Sequence, residues 1–321
     1  MTVSSLGVLL SIGAMLGAAA ASSPRPSACR IDGEHSAQAK LWSDVRPAAV
    51  ERRCSALSRG FTSLEAAPSD ALAAAHEVLK AAPEDRIALL LEGRALLRLG
   101  QNAEAWQRLS RFVAPGALED APSLYDVARA AVEVGELERA HTAYRALLPR
   151  ALLLPSGDAR RVAYMEAASV AMARGPQGLE EAQSYLEEAG RVPLPGDRDL
   201  LVGLGVLLLE RSGHAERARA MAREAPDPWD LERLLSARER ERLDVVDGAE
   251  PKPEKSLKTP RRMPRVRLPD GELHAVIALL AVGRDRELAL AHQRAFLAGP
   301  GGAGPYAELV KRALGPGGRG R

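Results

Sequence analysis

The feature that most limits what this chain can become is a small residue that returns at a nearly fixed interval. Ala71, Ala105, Ala140, Ala182 and Ala218 stand 34, 35, 42 and 36 positions apart. Each sits in an amphipathic segment, and three of them follow a glycine by five residues: Gly100 before Ala105, Gly135 before Ala140 and Gly213 before Ala218. Self-similarity at a period near 34 residues means one supersecondary unit stacked on copies of itself. The unit reads as two helices joined by a tight glycine turn, because apolar residues recur at three and four on both sides of the glycine.

The units can be followed along the chain. One reads Leu89, Gly93, Leu96, Gly100, Ala105, Leu109 and Phe112. The next has Leu124, Val127, Ala131, Gly135, Ala140, Tyr144 and Leu147. A third, with Gly175, Ala182 and Leu186, is stretched at its turn by Pro176 to Gly178. A fourth has Leu209, Gly213, Ala218 and Ala222, and a helix with Ala71, Ala75 and Val78, closed by Pro83, precedes them all. Composition agrees with an all-α chain: Ala, Leu, Glu and Arg dominate, these lose least on entering a helix, and aromatics are only 3%.

On these residues, over roughly residues 66–226 of a repeat region expected at 66–235, the chain resembles the tetratricopeptide repeat family. The family's small residue early in the second helix stands as Ala105, Ala140 and Ala218, and its large residue four places on as Leu109 and Tyr144. Its inter-helix glycine is Gly100, Gly135 and Gly213. Leu89, Leu124 and Val202 replace its first-helix Trp. The resemblance implies a right-handed α-solenoid whose first helices line a groove that binds a protein or peptide. On that face it places Leu90, Arg94, Leu97, Arg98, Tyr125, Arg129, Val132, Glu133, Met165, Met172 and Arg211. Arg94, Arg98 and Arg129 would then take carboxylates of an acidic partner by directional hydrogen bonds. The family's carboxylate clamp uses Asn and Lys, absent here, so capture of a free C-terminus is not implied.

The ends of the chain differ from its middle. Residues 1–21 form an uncharged apolar stretch with Ala19 and Ala21 at the cleavage spacing of an export signal, so a periplasmic or envelope location is expected. The helical region after it, 22–65, carries the only two cysteines, Cys29 and Cys54, and a disulfide between them fits an exported protein. Lipid attachment at Cys29 is not expected, because Pro26 stands where a lipobox needs a Leu-like residue. From 236 to 268 the pattern gives way to a basic, proline-rich linker. Lys252, Lys255, Lys258, Arg261, Arg262, Arg265 and Arg267 outnumber Glu250 and Glu254 there by a net +5. A further amphipathic pair follows, with Leu273, Ile277, Leu280, Gly283 and Leu288, then a capping helix from Tyr306 to Leu314 and a Gly-rich tail.

No motif with chemistry emerges. His76 and Glu77 open like a zinc-protease helix, but Lys80 stands where the second His belongs. There is no phosphate loop and no G-x-S-x-G, and the six histidines are scattered singly. With a net charge of only +2 and no aromatics among the basic run, nucleic acid is not expected as a partner. Apart from the signal, no stretch is apolar enough to span a membrane. The expectation is a non-catalytic scaffold without cofactor or metal. The alternatives are an accessory domain in a peptidoglycan-related enzyme system, and an intracellular adaptor if the N-terminal segment is retained.

Overall fold

In the computed structural model, the residues described are 48–114, 116–118, 120–192, 198–225, 228–247 and 266–314. All regular structure among them is helical: α1 (Ala48–Ser63), α2 (Pro68–Ala81), α3 (Arg86–Arg98), α4 (Asn102–Leu109), α5 (Ala121–Glu133), α6 (Leu137–Leu147), α7 (Gly157–Ala173), α8 (Leu179–Arg191), α9 (Arg198–Arg211), α10 (Ala215–Glu224), α11 (Trp229–Glu232), α12 (Ala237–Asp247), α13 (Glu272–Ala281), α14 (Arg286–Ala298) and α15 (Ala307–Leu314). Short 3-10 turns follow α4, α6, α7 and α14. None of the described helices is long and apolar enough to cross a membrane.

The helices pack as neighbouring pairs in chain order: α1 with α2, α3 with α4, α5 with α6, α7 with α8, α9 with α10, α13 with α14. Odd-numbered helices also touch across pairs, α1 to α3, α3 to α5 and α7 to α9. The expected helix at Ala71 is therefore the second half of a hairpin whose first half is α1. That half escaped the repeat pattern, although Ala56 and Leu57 are its buried face. The last pair continues the array: α13 packs on α9, and a β-carbon on Gly203 would lie 2.5 Å from Val276 Cγ1. The chain between them detours through α11 and α12, the latter resting on α14. α15 packs on α13 and α14, where the capping helix was expected.

Three of the turns are built alike. Gly100, Gly135 and Gly213 have φ of 78°, 79° and 78°, the left-handed region that suits glycine. Around each, the next residue's amide reaches back five: Gln101 to Leu96, Glu136 to Ala131 and His214 to Leu209, at 3.0, 2.9 and 2.8 Å. This double-bonded helix end satisfies carbonyls that would otherwise be orphaned. Each second helix then starts at a fixed phase, which carries Ala105, Ala140 and Ala218 into the helix contact, almost wholly buried. Asp85, Asp120 and Ser156 cap the first helices α3, α5 and α7 by accepting their early amides. The stretched turn departs as its sequence predicts: Gly175 has φ 118° and leads into the 3-10 turn Pro176–Gly178.

Two expected features cannot be placed. The export segment 1–21 and Cys29 lie outside the described residues, so neither the signal nor the pairing of Cys29 with Cys54 of α1 is described. The same holds for the basic run from Lys252 to Arg265.

Candidate functional site

The first-helix face carries a ladder of charge built in repeat register. Arg94 and Arg129 each stand six residues before their turn glycine (94 to 100, 129 to 135). Asp126 and Glu166 each stand nine before theirs (126 to 135, 166 to 175). Stacking sets the cation of one repeat against the acid of the next. Arg94 Nε donates to Asp126 Oδ2 at 2.6 Å and its Nη1 to Ser123 Oγ at 3.2 Å. Arg98 adds a second guanidinium to Asp126, at 2.8 and 3.2 Å, and also holds Glu65 at 2.7 Å. One repeat on, Arg129 Nε lies 3.4 Å from Glu166 Oε1 and its guanidinium sits 5.0 Å from the Tyr125 ring centre. Farther along, buried Arg211 donates to Glu272 at 2.7 Å and stacks 4.1 Å from the Tyr306 ring.

These contacts change what the arginines do. Arg94, Arg98 and Arg129 were expected to offer their charge to a partner's acid, and Arg211 to line the same face; all four lie against acids of this chain. Met165 and Met172, expected on the open face, are fully buried in the core, and Leu97 is nearly so. The small Ala side chains around them let the helices close over those residues, so they do not reach an open face.

The two acids of the ladder are in different electrostatic states. Burial pushes the Asp126 carboxyl up, but the Arg98 and Arg94 charges outweigh it and hold it at about 2. Burial also raises Glu166, and there it prevails, because the single guanidinium of Arg129 is more distant. Glu166 is completely buried and accepts two neutral donors: Tyr144 Oη at 2.9 Å and the backbone amide of Arg267 at 2.6 Å. Burial, then the charge of Glu166, pushes the Tyr144 phenol well above its ordinary range, and the same causes act on Tyr125.

Arg267 comes from the end of the expected linker. Its side chain reaches Glu133 of α5, whose other oxygen accepts from Asn102 Nδ2 at 2.7 Å. Val266 and Leu268 on either side are half-buried against the core that contains Val162 and Met165. The chain thus lays a short piece of itself, without regular secondary structure, on α5 and α7. Of the residues expected at a binding site, Tyr125, Arg129 and Glu133 are brought together here; Arg94 and Arg98 belong to the Asp126 node, and Arg211 lies near the C-terminal hairpin.

A second polar centre was missed. His274 of α13 and His292 of α14 are both fully buried, with Nδ1 atoms 2.9 Å apart. His274 Nε2 is 3.2 Å from the Glu239 carbonyl, and His292 Nε2 is 3.0 Å from Glu232 Oε1. The bonds at His274 are satisfied when it donates through Nε2 to the carbonyl and accepts at Nδ1 from His292. A second proton on His274 would set two N–H groups head to head. Burial, then the neighbouring His292, accordingly holds His274 down at about 4. Glu239 also closes a capping box with Ser236, at 3.0 and 3.2 Å, and its Oε1 accepts the Gly271 amide at 3.3 Å. The hint in the sequence was a pair of histidines in the facing helices of one hairpin.

No protein-family model, characterised protein or solved structure matches this chain. Its function therefore has to be argued from its own residues. The described residues contain no cluster of His, Cys, Asp or Glu arranged to hold a metal ion.

Proposed function

We propose that the chain is a right-handed α-solenoid of tetratricopeptide type, exported to the periplasm or envelope, that works as a non-catalytic scaffold for protein–protein interaction. The observation that carries this reading is the piece Val266–Leu268 lying on the first-helix face, held by an amide bond to Glu166 and a guanidinium bond to Glu133. A stacked array of hairpins presents such a face over several repeats, and an extended polypeptide is what its spacing accommodates. The three alike glycine turns support the family likeness. The arginines of the ladder have acids of their own, so the pull of the face on a partner comes from its acidic end, not from free cations.

A photo-crosslinking residue placed at position 134, beside Glu133, should give discrete protein adducts in the producing cell, while one at the exposed second-helix position 183 should give none. Silence at both positions, in a protein with unchanged helicity, would overturn the scaffold reading. Intact mass of the mature chain tests export separately, through loss of residues 1–21.

A further inference from the structure

We propose that the Glu133–Glu166 end of the first-helix face is a binding site for an extended protein segment bearing one arginine between aliphatic residues, and that Val266–Leu268 is the chain's own stand-in for it. The proposal rests on the scaffold reading and gives the partner a chemistry. Three observations lead to it. The contacts made by Arg267 are generic: one backbone amide to Glu166 and one guanidinium to Glu133. Any extended segment with an arginine at that position offers the same pair. The receptor side is set in place from behind, Glu133 by Asn102 and Glu166 by Tyr144, so the acceptors are aimed before an occupant arrives. Finally, the aliphatic neighbours of Arg267 pack, half-buried, against the hydrophobic core.

The charges around the site set its selectivity. Glu133 is part-exposed and can meet an incoming cation. Arg129 stands 3.4 Å from Glu166 and repels a second cation there. One arginine is therefore accepted at one position, flanked by uncharged residues. This reverses the charge expected of a partner from the arginines of the ladder.

The test uses the full chain and a fluorescein-labelled peptide, acetyl-Val-Arg-Leu-Pro-Asp-amide, copying residues 266–270. Binding is read by fluorescence anisotropy, with circular dichroism as the check on folding. Wild type should bind weakly, because its own segment competes. Arg267→Ala frees Glu133 and should bind the peptide about tenfold more tightly. Adding Glu133→Arg to that variant should abolish binding, and a peptide with Glu in place of Arg should restore it. A structural role for Glu133 alone would not produce that charge exchange. The proposal is overturned if Arg267→Ala binds no better than wild type, or if the charge exchange fails in a folded protein. If Arg267→Ala instead prefers the Glu peptide, only the arginine assignment falls and the scaffold stands. If neither peptide binds and the crosslinkers at 134 and 183 are also silent, both readings fall together.

Discussion

Asp126 and Glu166 occupy the same place in successive repeats, yet they do opposite work. Asp126 lies between two guanidinium groups and stays ionised; Glu166 faces one more distant guanidinium, a phenol and a backbone amide, and its carboxyl is pushed up. The difference comes from the neighbours that each repeat supplies. At the position two before the turn glycine, α3 carries Arg98 whereas α5 carries Glu133. A second cation closes the Asp126 node into a helix–helix joint. An acid in its place leaves the Glu166 node open to an arginine from elsewhere, and Arg267 fills it. One ladder position thus serves as a rivet in one repeat and as a receptor in the next.

The sharpest way to break that comparison is to remove each acid. Asp126→Ala strands buried Arg94 without its counter-charge and should cost about 3–5 kcal/mol in urea unfolding. Glu166→Gln keeps an acceptor for Tyr144 or the Arg267 amide and should cost about 1 kcal/mol. Equal losses would mean that the two nodes are equivalent after all.

Acid titration separates them by sign. Asp126 has its folded value below the unfolded 3.8, so its contribution is present above pH 3.8 and is lost as pH falls toward 2. Glu166 has its folded value above the unfolded 4.5, so its contribution is full below pH 4.5 and fades as pH rises. His274 adds a third region. Its folded value near 4 lies below the unfolded 6.5, so stability present above pH 6.5 is lost as pH falls through that window. Between pH 6.5 and 4 the wild type should lose on the order of 1–3 kcal/mol that His274→Gln does not lose, read from melting curves of the two proteins. Parallel curves would refute the buried relay.

Packing around the open node gives the next effect. Ala140→Leu should overpack the α5–α6 contact and lower stability by about 1–3 kcal/mol, measured by chemical denaturation; an unchanged midpoint would remove the small-residue register. Smallest is Gly135→Ala. A β-carbon there meets nothing within 4 Å, so only the left-handed backbone at φ 79° resists it, at about 1 kcal/mol.

What could be read from sequence was what repeats. The glycine turns and the small residues after them recur at one period, and Ala105, Ala140 and Ala218 are where that period puts them. Isolated features were harder. Asp126 and Glu166 are single acids in Ala-rich helices, and one sequence does not show whether such an acid faces water or the next repeat. The arginines were seen, but their partners lie about 30 residues away, across a stacking contact. α1, whose Ala56 and Leu57 are buried, stands ahead of the repeat pattern and escaped it, and the His274–His292 pair depends on two helices meeting face to face.

The bond from Arg267 to Glu166 joins residues 101 positions apart, and the one to Glu133 spans 134. Most other joints in the array link one hairpin to the next, an arrangement in which structure can grow from any point and spread stepwise. Those two bonds do not fit stepwise growth. They cannot form until α5, α6 and α7 have already assembled, and the loop they close is slow to find. The two bonds tie the third hairpin to the last: amides of α13 should exchange with solvent faster when Glu133 is neutralised, although two hairpins lie between α5 and α13 in the chain.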